Sequence, residues 1–152
     1  MKRLCVTSCL LLISMLIVYP VFASDTLSID SRLLSIFYAL WKDSGFGNDP
    51  NRTERAAWIL RESSFEYTCL RWPTSGERNK EFWQGPLPPN TVAQAHTHTV
   101  VADPKPSSKD IHLCMSLGIP VYVISAGGIW VVTPDGEASR VQDSTWYKSV
   151  GK

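Results

Sequence analysis

The stretch TVAQAHTHTVVADPKPSSKD, from Thr91 to Asp110, carries the strongest signals for the fold of this chain. It contains two of the three histidines, His96 and His98, one residue apart. Successive side chains of a strand point to opposite faces of a sheet, so both imidazoles share a face while Thr97 points away. A strand here therefore predicts two metal ligands side by side, although so short a pattern also fits a polar strand face.

The same stretch ends where a helix is expected to begin. Ser107 and Asp110 form a Ser-x-x-Asp sequence before an apolar run, which is a capping signal in which Asp110 also favours the positive end of the helix. A strand end and a helix start could converge here. Two imidazoles, one carboxylate and an open fourth position are typical of a catalytic zinc site. Capping alone also explains Ser107 and Asp110, and the two interpretations are compatible.

The N-terminal segment, residues 1–23, is typical of a secretory signal peptide. It opens with Lys2 and Arg3, continues through the apolar run from Leu10 to Val18, and ends at Ala23, where cleavage is expected. Cleavage would leave a periplasmic or secreted protein without a stable membrane anchor. A retained apolar anchor is the alternative.

The mature chain, residues 24–152, has the length of one ordinary domain, whose core is expected over about 27–136. Removal of the signal peptide leaves 13 basic and 14 acidic residues, so the formal net charge falls from +1 to about −1. Without a basic excess, the composition gives no support to nucleic-acid binding.

Two of the four cysteines, Cys69 and Cys114, remain after cleavage. An even pair of cysteines in an oxidising compartment predicts one disulfide, which would brace the helix that carries Asp110. Two buried thiols, or a thiol that binds a metal, are the alternatives.

Hydrophobic spacing and turn residues predict a mixed β-sheet flanked by helices, an α/β (α+β) fold in a single domain. The expected helices are Leu27–Trp41, with Asp30 as a possible cap, and Ser107–Leu117; the expected strands are Ala56–Leu60, Phe65–Trp72, the His-x-His segment, Val121–Ile124 and Ile129–Val132. The long loop Pro73–Pro89 is either a lid or binding loop or a surface excursion. The polar residues 137–152 are expected to fray.

A metal-activated water needs a proton acceptor that is not itself a ligand. Glu54, just before the first predicted strand, is the leading candidate. Glu62 and Glu66 are rivals, and each of the three could instead be a solvated surface charge.

Together these motifs resemble the JAMM motif of the JAB/MPN metalloprotease superfamily, in particular its small bacterial members. The resemblance covers roughly residues 54–136: Glu54 before a short apolar strand, then His96-Thr97-His98, then Ser107-x-x-Asp110 and an apolar strand pair. It implies a JAB/MPN-like fold that hydrolyses a peptide or isopeptide amide in a peptide or protein substrate.

Carried over residue by residue, the resemblance makes His96, His98 and Asp110 the zinc ligands. Glu54 would be the acid/base that takes a proton from the attacking water, and Ser107 would help hold the oxyanion.

The chain departs from the family pattern at two points. Thr99 stands where the family usually has a proline, and eight residues instead of seven separate His98 from Ser107. Because some relatives in this superfamily are metal-free interaction modules, a non-catalytic JAB-like domain acting with another secreted protein is the alternative function.

Overall fold

Six β-strands and two α-helices make up the part of the chain that the computed structural model describes, which is residues 27, 29–51, 53–63, 66–74 and 82–150. The predicted signal peptide, residues 1–23, lies outside the described residues, as does the middle of the predicted Pro73–Pro89 loop. Within the described ranges, no helix has the length and apolar character that crossing a membrane requires.

The strands form one mixed sheet in the order β2-β1-β3-β4-β5-β6. Neighbouring strands are antiparallel except β3 and β4, which are parallel and are joined through α2. This arrangement confirms the predicted α+β fold. The elements are α1 (Ser31–Asp43), β1 (Ala56–Ser63), β2 (Glu66–Arg71), β3 (Thr91–Thr97), α2 (Ser108–Leu117), β4 (Val121–Ser125), β5 (Gly128–Val132), β6 (Ala138–Gln142) and a short 3-10 helix (Trp146–Lys148).

Helix α1 covers one face of the sheet and forms the main core. Asp30 caps it by accepting a hydrogen bond from the backbone N–H of Leu33 at 2.8 Å, as its position predicted, and the helix therefore begins at Ser31 instead of Leu27. Small side chains on β3, Ala93 and Ala95, let the helix approach closely. The helix buries Leu33, Phe37, Leu40 and Trp41 in this core.

Helix α2 covers the opposite face. Its buried Cys114 packs with Val121 of β4 and Val132 of β5 in a smaller cluster. Alternation along β3 sends Ala93 and Ala95 to the α1 side, so His96 lies on the α2 side. Because β3 runs directly into the loop before α2, the start of this helix lies at the carboxyl end of this interior strand.

The predicted disulfide between Cys69 and Cys114 is wrong, because both cysteines are free. Cys69 lies on β2 and packs against the core on the α1 side, whereas Cys114 is buried on the α2 side. The sheet thus separates the two sulfurs. Cys114 Sγ instead lies 3.2 Å from the carbonyls of both Ile119 and Val132, either of which can accept its single S–H proton.

The expectation that residues 137–152 fray is also wrong for the described part of that segment. Strand β6 pairs with β5 in antiparallel register. Trp146 is 3% exposed and belongs to the core on the α1 side, where its ring meets Tyr38 edge-on at 6.5 Å. Trp146 thus anchors a polar segment that shows little hydrophobic periodicity, with the partly buried Val141, Tyr147 and Val150 packed against the same core.

Replacing Trp146 with alanine is expected to lower the free energy of unfolding by about 3 kcal/mol, since it removes a large buried ring and leaves a cavity. Chemical denaturation measures this change. Arg140→Ala, on the exposed β6, is the control and should stay within about 0.5 kcal/mol of wild type. An equally small effect for Trp146→Ala would mean that this segment contributes nothing to the domain.

Candidate metal centre

His96 and His98 lie side by side at the end of β3. His96 pairs with Ala56 of β1 and Val123 of β4, so it lies in the middle of the sheet. His98 follows the strand, and its backbone N–H donates to the carbonyl of Ile124 at 2.8 Å, which keeps it aligned with β4. Both side chains are buried, each with 7% of its surface exposed. The predicted placement of the two imidazoles on one face is therefore confirmed.

Asp110 reaches the same point from the first turn of α2. Ser107 is the N-cap residue, and the two residues form a complete capping box. The Ser107 backbone N–H donates to Asp110 Oδ2 at 2.5 Å, and the Asp110 backbone N–H donates to Ser107 Oγ at 3.4 Å. The capping interpretation is thus confirmed, and the cap also fixes where the Asp110 carboxylate points.

Four potential ligand atoms converge between these residues: the two Nε2 atoms and both carboxylate oxygens of Asp110. The Nε2 atoms of His96 and His98 lie 3.3 Å apart. Asp110 Oδ1 lies 3.2 Å from His96 Nε2, and Asp110 Oδ2 lies 3.5 Å from His98 Nε2. Zinc bonds of about 2.0–2.2 Å in a tetrahedral arrangement separate neighbouring ligand atoms by about 3.3–3.5 Å. The buried His-His-Asp group can therefore hold a metal ion.

The outer nitrogen of each ring is held by an acceptor. His98 Nδ1 lies 2.9 Å from the backbone carbonyl of Asp103, which can only accept, so Nδ1 carries the proton. His96 Nδ1 lies 3.1 Å from Gln94 Oε1. Gln94 Nε2 donates to the carbonyl of Ala95 at 3.2 Å, and this bond fixes the amide with its oxygen toward His96. His96 is therefore also protonated on Nδ1.

It follows that, in the neutral rings, both Nε2 atoms present lone pairs to the centre. They face each other and a carboxylate, so three acceptors meet with no donor between them. Such a cluster needs a cation or a proton at its centre. Holding the outer ring nitrogen with an acceptor is the usual way in which proteins orient a metal-binding histidine.

The pKa values of the cluster reflect this need for positive charge. Burial alone would raise the pKa of Asp110, but the Ser107 backbone N–H, together with His96 and His98 when these rings carry a proton on Nε2, holds it far below its ordinary value. Burial alone would lower the pKa of His98, yet hydrogen bonds to Asp110 and Asp103 and the negative charges of Asp110 and Glu54 raise it. A raised pKa favours a proton on His98 when no metal is bound.

The metal-free protein should therefore lose stability as the pH rises through the neutral range. A His98 pKa raised above 6.5 in the folded state stabilises the protein below pH 6.5, and this contribution is lost as the pH rises through the folded pKa. Denaturation of chelator-treated protein from pH 6 to pH 8.5 measures the slope.

Asp110→Asn should flatten this slope, because the variant loses the charge that raises the His98 pKa. The matched control is His112→Gln, which removes the exposed histidine of α2 and should keep the slope. A wild-type stability that rises with pH over this range would contradict the assignment.

Glu54 stands beside this centre. The backbone N–H of the next residue, Arg55, donates to Thr97 Oγ1 at 2.9 Å, and the Thr97 N–H donates to the Arg55 carbonyl at 2.8 Å. These bonds join the segment before β1 to β3 between the two histidines. Burial raises the pKa of Glu54, and the charges of His96 and His98 oppose that rise.

The rival acids lie at the other end of the sheet. Glu62 is six residues beyond Ala56 on β1, a distance of about 20 Å along a strand, and its carboxylate accepts a hydrogen bond from Thr68 at 2.9 Å. Glu66 begins β2 and pairs with Ser63 at that same end. Of the three candidates, only Glu54 lies where it could exchange a proton with a group at the metal centre.

Ser107 is exposed at the rim of the centre. Its oxygen accepts the hydrogen bond from the Asp110 backbone, so its hydroxyl proton remains available to donate to a bound ligand.

Sequence reasoning missed two groups of this site, the Gln94 side chain and the Asp103 carbonyl. Gln94 shares a strand face with His96, because the two residues are two positions apart on β3, and it is 1% exposed. A polar residue at a core position beside a histidine was the available signal. No sequence signal pointed to the Asp103 carbonyl, because its position beside His98 depends on how the loop after His98 folds back.

Comparison with known proteins provides no independent assignment. No protein-family model matches the chain, and no curated protein matches it.

Proposed function

We propose that this protein is a zinc-dependent hydrolase that cleaves a peptide or isopeptide amide bond. One observation carries the proposal. Three buried acceptors, from His96, His98 and Asp110, converge at zinc-ligand spacing, and both imidazoles are held from behind in the tautomer that binds a metal.

The donor set favours zinc over the other common divalent ions. Two imidazole nitrogens and one carboxylate oxygen suit zinc, whereas magnesium and calcium prefer sites made of oxygen ligands alone. Three protein ligands leave a fourth position open, as in catalytic zinc sites. When bound there, zinc would polarise the scissile carbonyl and lower the pKa of a water molecule toward neutrality.

The side chains around the centre supply the remaining chemistry. Glu54 would accept the proton of the attacking water and pass it to the leaving amine, a role that suits a half-buried carboxyl beside the ligands. The Ser107 hydroxyl would donate to the carbonyl oxygen as negative charge develops on it. The similarity of these residues to the JAMM motif of the JAB/MPN superfamily supports the same roles.

Export fits this activity. We propose that residues 1–23 are removed and that the mature protein acts in the periplasm or outside the cell on a peptide or protein substrate. The near-neutral charge of the mature chain gives no reason to expect a nucleic-acid partner.

The experiment that tests the proposal incubates the mature protein with a mixed peptide library and identifies the products by mass spectrometry. Cleavage should require zinc, stop when a chelator removes the metal and return when zinc is added back. If the zinc-loaded protein leaves the library and a set of cell-envelope proteins intact, the hydrolase proposal fails and the non-catalytic binding domain becomes the better account.

A further inference from the structure

A groove of about 360 Å³ lies on the α2 side of the sheet and has no role in the metal centre. Its walls are apolar, and the described residues that line it include no charged side chain. They come from β1, from the residue after β2, from the loop before β3 and from α2: Trp58, Trp72, Phe82, Trp83, Leu87, Leu113 and Leu117, together with Gly85.

The groove and the metal centre share two elements. On α2, Leu113 and Leu117 follow Asp110 by three and seven residues, so all three lie on one side of the helix, about 4.5 and 10.5 Å further along its axis. On β1, Trp58 pairs with Gln94, the residue whose side chain holds His96. The groove therefore begins beside the ligands and extends away from them between α2 and β1.

Three indole rings give the groove its shape. The Trp58 ring lies 5.0 Å from the Trp72 ring at 52° and 6.1 Å from the Trp83 ring at 83°, and Trp72 lies 6.3 Å from Trp83 at 45°. Rings at such angles form a cup. Trp58 is only 3% exposed, so this ring offers no open face on which a sugar could stack.

The loop that completes the groove is held in place by its own hydrogen bond. Trp83 Nε1 donates to the carbonyl of Pro86 at 3.0 Å, which fixes the turn between them. Phe82 and Leu87, on either side of this turn, are 50% and 45% exposed. Large apolar side chains exposed around an apolar groove are typical of a binding site.

We propose that this groove binds one large apolar or aromatic side chain of the substrate, one to three residues from the scissile bond. An extended peptide advances about 3.3–3.6 Å per residue. A peptide whose scissile bond lies at the metal centre therefore spans the roughly 4.5–10.5 Å along α2 to the groove with one to three residues. The described lining residues are apolar and favour an apolar side chain, because a charged one would lose its hydration there without gaining a partner among them. This inference rests on the proposed function, and it names the class of substrate.

The test measures peptide binding directly, by the change in tryptophan fluorescence on adding acetyl-Phe-Ala-Ala-amide or acetyl-Asp-Ala-Ala-amide. Both zinc-loaded and chelator-treated protein are titrated. The phenylalanine peptide should bind at least about 10-fold more tightly than the aspartate peptide, since filling an apolar pocket changes affinity by about 10–200-fold. The preference should persist without zinc, so a failed hydrolase proposal would not hide it.

Two variants locate the binding. Leu117→Glu, in the wall, and Phe82→Glu, at the half-exposed rim, should each weaken binding of the phenylalanine peptide at least about 10-fold. Met115→Glu is the matched control, because Met115 is 56% exposed on the same helix and does not line the groove. Equal affinity for the two peptides, wild-type affinity in Phe82→Glu, or binding of a chito-oligosaccharide that displaces the peptide would each overturn the proposal.

Discussion

Replacing Asp110 with asparagine is expected to lower the affinity for zinc by more than about 100-fold. Loss of an outer partner of a ligand already costs about 10–100-fold, and Asp110 is both the negatively charged ligand and the residue that brings α2 to the centre. Wild-type protein with free zinc at 100 times its dissociation constant should gain about 2.7 kcal/mol of stability. The variant should gain almost none at the same zinc concentration.

Thermal unfolding with and without zinc measures this difference, and competition with a chelator measures the affinity. The matched control is Asp103→Asn, which removes a nearby carboxylate but keeps the backbone carbonyl that holds His98. Control and wild type should bind zinc alike. Equal stabilisation of Asp110→Asn and wild type by zinc would place the metal elsewhere.

Glu54→Gln is expected to abolish most of the hydrolysis while leaving zinc content and folding unchanged. Glutamine keeps the size and much of the hydrogen bonding of glutamate but cannot accept a proton. General acid/base groups contribute about 10²–10⁴ to the rate, so a loss of that size should appear in kcat. Rates on a peptide found in the library screen provide the measurement.

Glu62→Gln and Glu66→Gln are the controls, because both acids lie at the far end of the β1–β2 hairpin. They should keep wild-type activity and wild-type zinc content. An active Glu54→Gln would remove Glu54 from the mechanism, and a zinc-free Glu54→Gln would show that Glu54 binds the metal.

Much of the candidate site could be predicted because it depends on local rules. Alternation along a strand places His96 and His98 on one face, and the Ser-x-x-Asp capping box places Asp110 at a helix start. The hydrophobic spacing of the strands and helices also predicted the mixed sheet. The convergence of strand end and helix start could be inferred because a single loop, residues 98–107, joins them.

The errors concern contacts between segments that are distant in sequence. Which face of the sheet receives Cys69 and which receives Cys114 depends on the packing of two different helices, and cysteine counting cannot reveal it. Trp146 enters the core from a segment whose composition is polar. In both cases the tertiary arrangement, not the local pattern, decides the outcome.

The measurement that tests the central claim most directly is anomalous diffraction at the zinc absorption edge from crystals of the mature protein grown with zinc at neutral pH. We expect one peak per chain, about 2.0–2.2 Å from the Nε2 atoms of His96 and His98 and from a carboxylate oxygen of Asp110. The absence of a peak between these three side chains, or a single peak at another position, would contradict the account.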